Sequence, residues 1–247
     1  MGRGSHERHY NVTKHHDHKA IESEGQKQNF VIDTSISLSD YVPIDISNSN
    51  PDLSSIDVTS ASQLGSYINS YLHKNNAKVA YGGYLEVRDI YKNTEEFACE
   101  DPMRQRNIHL GVDFWCDPNT PVLAAIRGKV HSFQNNQTDG DYGPTIILEH
   151  YIQGETFYTL YGHLSLASLE GIKVGQEVED GQAIASVGDE SVNGGYAPHL
   201  HFQVIEDMQG LYGDYPGVSC KQNIDFYKDN CPDPNLLLNL MKSSEEV

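Results

Sequence analysis

The apolar positions divide the chain into stretches of different texture. Between Ser60 and Leu72, the apolar residues Leu64, Tyr67, Ile68, Tyr71 and Leu72 recur at three- and four-residue spacing, which predicts one amphipathic helix. Upstream, Phe30-Val-Ile32 and Val42-Pro-Ile-Asp-Ile46 are short β-prone pieces among Ser, Asp and Asn. From Asn107 to Glu206 the pattern becomes short β-rich runs parted by Gly and polar turns. Thr120–Ala125, Gly128–Phe133, Pro144–His150, Thr156–Tyr161 and His199–Val204 are the strand candidates. Close spacing without helical periods between them predicts a mainly β fold, an antiparallel β-sandwich or barrel-like domain. Val174-Gly-Gln-Glu-Val178 is echoed by Asp180-Gly-Gln-Ala-Ile-Ala-Ser-Val187, and each Gly-Gln step predicts a tight hairpin-type turn between strands. Polar residues 1–25 read as a disordered, partly tag-like leader carrying His6, His9, His15, His16 and His18. Residues 26–78 form a small N-terminal segment with the helix, and 79–247 the β domain. The loop-rich tail from Asp207 packs its Leu236–Leu238 run back on the domain and offers no chemistry.

Composition narrows the function. Of 247 residues 38% are apolar, enough for one core. Lys and Arg total 17 against 35 Asp and Glu, a formal charge of −18, which repels phosphate backbones and anionic lipid; nucleic acid and membrane are not expected partners. No apolar run approaches the roughly 20 residues of a spanning helix. GxGxxG and GxxxxGK[ST] are absent, so nucleotide binding has no support. Cys99, Cys116, Cys220 and Cys231 lack CxxC spacing and read as reduced thiols. The N-terminus lacks the layout of a signal peptide, which favours a cytoplasmic setting and leaves a secreted one open if a signal has been removed.

The chemistry lies in His109-Leu-Gly-Val-Asp113, Tyr161-Gly-His163-Leu-Ser165 and His199-Leu-His201-Phe-Gln203. On a strand, side chains alternate, so His199 and His201 enter one cleft together. His109 and Asp113 can reach one ion if the chain turns at Gly111. Two imidazoles and a carboxylate suit zinc, with a fourth position for water. HExxH is absent, so no glutamate is placed as general base, and an unligated imidazole is the natural replacement. His199 fits the base or water-orienting role and His163 the oxyanion or leaving-amine role; spacing leaves the two exchangeable. Trp115 reads as core. Tyr161 and Tyr196 flank the catalytic pieces as candidate donors to substrate.

HxxxD, YGHLS, GIKVGQEVEDGQAIASVG and PHLHFQV, in that order over residues 107–206, resemble the LytM/lysostaphin-type zinc metallo-endopeptidases, which cut peptidoglycan cross-links. The resemblance implies a narrow antiparallel β-sandwich with a groove, one zinc ion on His109, Asp113 and His201, catalytic His163 and His199, and a peptide or peptidoglycan-derived substrate. The chain departs from the family at Val192-Asn-Gly-Gly-Tyr-Ala197, where a Ser-Thr-Gly type loop is common. It also lacks a tyrosine in Asp101–Arg106, just before the first ligand. Tyr81-Gly-Gly-Tyr-Leu-Glu-Val-Arg-Asp89, Asn193-Gly-Gly and Cys231-Pro-Asp-Pro-Asn resemble a subgroup associated with metabolic enzymes such as aminotransferases, which implies a cytosolic small peptide or amide substrate. Two other functions compete. A non-catalytic, peptide-binding or partner-regulating relative would show broken ligand positions, and a phosphocarrier domain would have no use for Asp113. The N-terminal segment could also lie in the groove as an inhibitory arm.

Overall fold

A computed structural model describes residues 15–92, 99 and 101–240. In chain order the helices are α1 (Lys19–Glu24), α2 (Ala61–Lys74), α3 (Ile224–Asn230) and α4 (Asn235–Leu238). The first six strands are β1 (Tyr41–Pro43), β2 (Val79–Gly82), β3 (Ile108–His109), β4 (Val112–Trp115), β5 (Pro121–Leu123) and β6 (Gly128–Asn136). The rest are β7 (Gly143–Ile152), β8 (Glu155–Gly162), β9 (Glu177–Val178), β10 (Ala183–Ser186), β11 (His199–Ile205) and β12 (Val218–Ser219). The fold is mainly β, as the runs predict. Its centre is an eight-stranded sheet in the order β1-β2-β4-β11-β8-β7-β6-β9, with two-stranded β10-β5 and β12-β3 beside it. The large sheet stays open and is not a closed barrel. It is mixed, because β1 and β2 pair in parallel while its other pairs are antiparallel.

Alternation along β11 sets the two layers. Leu200, Phe202 and Val204 join Val112, Phe114, Ile146, Leu148 and Tyr161 in the main core, which Val122 and Ala124 of the β5 region cover. Burying each such side chain contributes about 1.5–3 kcal/mol. On the opposite face, Leu110, Ile147, Leu160 and Ile205 pack against Met208, Tyr215 and Tyr227 of the tail. His199, His201 and Gln203 therefore sit under a covered face, at a distance from bulk water. Helix α2, capped by Ser60 accepting from the Gln63 backbone N–H, packs Leu64 and Ile68 with Ala80 and Trp115.

The N-terminal part departs from the expectation. Residues 1–14, with His6 and His9, lie outside the described residues, as do Glu95, Glu96, Glu245 and Glu246. Of the expected leader, residues 19–24 form α1, whose Ala20 and Ile21 are buried in the main core beside Leu237 and Leu238 of α4. His16 reaches Asp229 at 2.9 Å and His18 reaches Glu206 at 2.6 Å. Within residues 26–78, β1 joins the large sheet, and Leu123 N–H donates to the Val31 carbonyl at 2.9 Å. The Gly-Gln steps do form turns. Gln176 N–H donates to Lys173 O and Gln182 N–H to Glu179 O, both at 3.1 Å, with Gly175 and Gly181 at φ 81° and 69°. These positive φ values are what glycine supplies at the third position of such a turn. The flanking strands nonetheless pair elsewhere, β9 with β6 and β10 with β5, so the turns close no hairpin.

Candidate active site

Five expected side chains converge. His199 and His201 project from β11 opposite Trp115 and Asp113 of β4, and His109 ends β3. His109, Asp113, His163, His199 and His201 are all 5% exposed or less. Gly111 allows the approach of the first motif to the last: a Cβ there would lie 2.6 Å from both His201 Cε1 and the Phe202 carbonyl oxygen. His163 follows β8 in the left-handed region, at φ 61°, a conformation sparsely used by non-glycine residues and concentrated at functional sites.

The hydrogen bonds fix the tautomers. His109 Nδ1 lies 2.9 Å from the Gly83 carbonyl, which can only accept, so Nδ1 carries the proton and Nε2 the lone pair. His201 Nε2 lies 2.9 Å from Gln203 Oε1, and Gln203 Nε2 donates to the Pro216 carbonyl, which orients the amide. His201 therefore presents Nδ1 as its lone pair. His109 Nε2, His201 Nδ1 and Asp113 Oδ1 are then separated by 2.9, 3.1 and 3.2 Å. Three lone-pair atoms at that spacing with no proton between the two nitrogens repel one another unless a cation joins them. Zinc bonds of about 2.0–2.1 Å put tetrahedral ligand atoms about 3.3 Å apart, so the trio fits that ion.

The other two histidines are held differently. His163 Nδ1 is 2.7 Å from the Asn193 carbonyl and His199 Nδ1 is 2.7 Å from the Ala197 carbonyl, so both turn a bare Nε2 inward. His199 Nε2 comes within 3.9 Å of Asp113 Oδ1. Its ring stacks on Trp115 with centroids 4.1 Å apart, so this core tryptophan also aligns the site. Burial pushes His199 down to about 4 and His163 well below its ordinary value, which keeps both neutral. His109 is likewise pushed to about 4, by burial and then by the nearby Arg88 charge. Burial would raise the Asp113 carboxyl, but His109 and Arg88 hold it well below the carboxylate range.

Sequence reasoning missed four neighbours. Arg88 Nη1 donates to Asp113 Oδ2 at 2.5 Å and its Nε to Glu86 Oε2 at 2.8 Å, leaving Asp113 Oδ1 to the trio. Gln203 is the acceptor that orients His201, and the Tyr142 hydroxyl stands 3.4 Å from the same His201 nitrogen. Gln203 was detectable, because it follows His201 by two on one strand face. Of the two flanking tyrosines, Tyr161 points into the core, where its hydroxyl accepts from Ala125 N–H, away from substrate. Tyr196 lines the site but donates its hydroxyl to the Gly140 carbonyl at 2.8 Å. The site opens on a cavity of about 150 Å3 whose lining includes Tyr91, Tyr142, Asp141 and residues 214–218. The tail thus contributes to the site, contrary to expectation. None of residues 26–78 lines the cavity.

An open β-sheet thus carries a buried trio of two histidines and an aspartate that could hold a metal ion, faced by two further imidazoles. Residues 107–212 match the model of Peptidase family M23, in line with the LytM/lysostaphin-type resemblance of the motifs. Among curated proteins, the chain is 36% identical over 95 residues to an uncharacterized metalloprotease of Haemophilus influenzae, covering 38% of this chain and 18% of that protein. It is 26% identical over 158 residues to the L-Ala–D-Glu endopeptidase of Bacillus subtilis, covering 58% of this chain and 44% of that one. The chain therefore spans less than half the length of either relative. The catalytic domain of lysostaphin from Staphylococcus simulans is 27% identical with a TM-score of 0.36, covering 62% of this chain and 94% of that one. A zinc-containing peptidase from Vibrio cholerae is 31% identical with a TM-score of 0.33, covering 42% and 31%.

Proposed function

We propose that this protein is a zinc-dependent peptidase that hydrolyses peptide bonds in peptidoglycan cross-links or related short peptides. The observation that carries the reading is the approach of His109 Nε2, Asp113 Oδ1 and His201 Nδ1 to within 3.2 Å of one another, each with its lone pair free for a ligand bond. His109, Asp113 and His201 would hold the ion. Zinc bound there would supply Lewis acidity and lower the pKa of a coordinated water to about 7. His199, neutral and with Nε2 nearest the trio, takes the proton of the attacking water. The imidazolium so formed, or His163 beside it at a ring separation of 4.2 Å, returns that proton to the leaving amine. Trp115 and the Ala197 carbonyl keep His199 in that orientation. The intact ligand set speaks for catalysis over a purely peptide-binding role. The L-Ala–D-Glu bond named for the Bacillus subtilis relative supports the same choice.

His201→Ala is the direct test. It is expected to lower the zinc bound per chain by one ion and to abolish hydrolysis of muropeptides and short glycine or alanine peptides. Hydrolysis that persists in His201→Ala, or that survives full zinc removal, would end the proposal.

A further inference from the structure

One short strap outside the histidine motifs orients two members of the trio. Leu85 N–H donates to the His109 carbonyl and His109 N–H to the Glu86 carbonyl, both at 2.9 Å, and Arg88 N–H donates to the Asn107 carbonyl at 2.8 Å. Side chains two apart on such an extended run share a face, so Glu86 and Arg88 point the same way. The Gly83 carbonyl holds His109 Nδ1, while Arg88 donates from Nη1 to Asp113 Oδ2 and from Nε to Glu86 Oε2. Glu86 is anchored in turn. Its Oε1 accepts from Ile46 N–H at 3.3 Å, and Asn48 N–H donates to the neighbouring Val87 carbonyl at 2.8 Å. Position 83 needs glycine, because a Cβ there would overlap the Arg88 guanidinium. Gly83, Glu86 and Arg88 all precede residues 107–212, the stretch that matches the family model.

The strap leaves Asp113 one oxygen to offer. Its Oδ2 is capped by a guanidinium that is 1% exposed and fixed by Glu86, whereas Oδ1 lies 3.1 Å from His201 Nδ1 and 3.2 Å from His109 Nε2. A carboxylate free to turn can bind a metal through both oxygens, and that larger donor set suits larger ions with oxygen-rich coordination. Held to one oxygen, Asp113 completes a set of three protein donors, the count that leaves a zinc ion a position for water. Ligand number and geometry, more than raw affinity, decide which divalent ion a site selects. The positive charge of Arg88 repels every divalent ion alike, so it changes absolute affinity and not the preference between ions of equal charge.

We propose that Arg88, held by Glu86, is a positioning residue that keeps Asp113 to a single donor oxygen and so sets the preference of the site for zinc over larger divalent ions such as Mn(II). This deepens the zinc-peptidase reading and rests on its metal site, but not on the reaction. Arg88→Met removes the donor at similar length but strands the Glu86 carboxylate. The test therefore adds Glu86→Gln/Arg88→Met, which removes both charges together and leaves the net charge unchanged. The full chain is titrated with Zn(II) by chelator competition and with Mn(II) by the paramagnetic resonance of the free ion. The same titrations of His201→Ala are subtracted, to remove ions held by the histidines near the N-terminus. In the double variant the ratio of the two dissociation constants is expected to shift toward Mn(II) by about tenfold to a hundredfold, the scale of outer-partner effects on metal sites. Co(II) supplies a second readout: the intense visible absorption of a four-coordinate ion in the wild type is expected to fade to the weak bands of higher coordination. Equal weakening of both ions with an unchanged Co(II) spectrum overturns the proposal, since Arg88 would then act only on folding or overall charge. Unchanged binding of both ions overturns it as well. A shifted ratio in a chain whose wild type cleaves no peptide leaves the proposal standing and ends the peptidase reading. Zinc-dependent cleavage with an unshifted ratio does the reverse, and a wild type that binds no zinc at the trio ends both.

Discussion

Replacing Gln203 by Leu removes the acceptor that keeps the proton of His201 on Nε2 and its lone pair on Nδ1. Gln203 is fully buried, and its Oε1 lies 2.9 Å from His201 Nε2. Outer partners of this kind are worth about tenfold to a hundredfold in metal affinity, or about 1.4–2.8 kcal/mol. The Tyr142 hydroxyl remains 3.4 Å from the same nitrogen and can take over part of the role, so a loss near tenfold is expected. Competition with a chromophoric zinc chelator measures it. Thermal unfolding at fixed excess zinc should show the same change, because a tenfold weaker site gives about 1.4 kcal/mol less zinc-linked stabilisation. In a chain of this size that is a zinc-induced rise in Tm smaller by about 3–6 °C. Gln203→Glu, which keeps an acceptor toward His201, should retain most of the affinity. If Gln203→Leu binds zinc as tightly as the wild type, the account of how His201 is oriented is wrong.

Gly111→Ala places a Cβ 2.6 Å from His201 Cε1 and from a backbone oxygen, so it should cost about 1–3 kcal/mol of stability and weaken zinc binding with it. Gly65→Ala, in the middle of α2 with Ala197 Cβ at an ordinary 3.5 Å, should instead stabilise by about 0.5–1 kcal/mol in denaturant titration. Leu200→Ala, in the main core on the face opposite the histidines, should destabilise by about 2–5 kcal/mol through the cavity it leaves. Burial pushes His150 down to about 4, where it sits between the Arg127 carbonyl and the Thr159 hydroxyl. The unfolded chain then binds a proton that the folded one refuses. The neutral ring's contribution is present above about pH 6.5, is lost as pH falls toward 4, and amounts to roughly 3 kcal/mol. His150→Asn should flatten the stability profile across that window, and an unchanged slope would contradict the assignment.

What the sequence reveals depends on how local the cause is. The HxH motif is readable because alternation on β11 is local: Leu200 and Phe202 fill the core, which obliges His199 and His201 to face the other way. The long strands β6, β7 and β8 are readable for the same reason. Arg88 is not, since it reaches Asp113 across 25 residues with no periodic pattern linking them. Tyr142, 59 residues from His201, is no more visible. Helix α1 buries only Ala20 and Ile21, too few apolar positions to register a helical period, and it depends on α4 from the far end of the chain. The parallel pairing of β1 with β2 follows from the α2 crossover between them, a tertiary consequence that neither short strand displays by itself.

Anomalous diffraction at the zinc edge, from crystals of the full chain grown with the metal, addresses the central claim most directly. The account predicts one internal peak about 2.0–2.2 Å from His109 Nε2, Asp113 Oδ1 and His201 Nδ1, with a further position open toward His199. A peak confined to the histidines near the N-terminus, or an ion ligated by His163 and His199 instead, would contradict it.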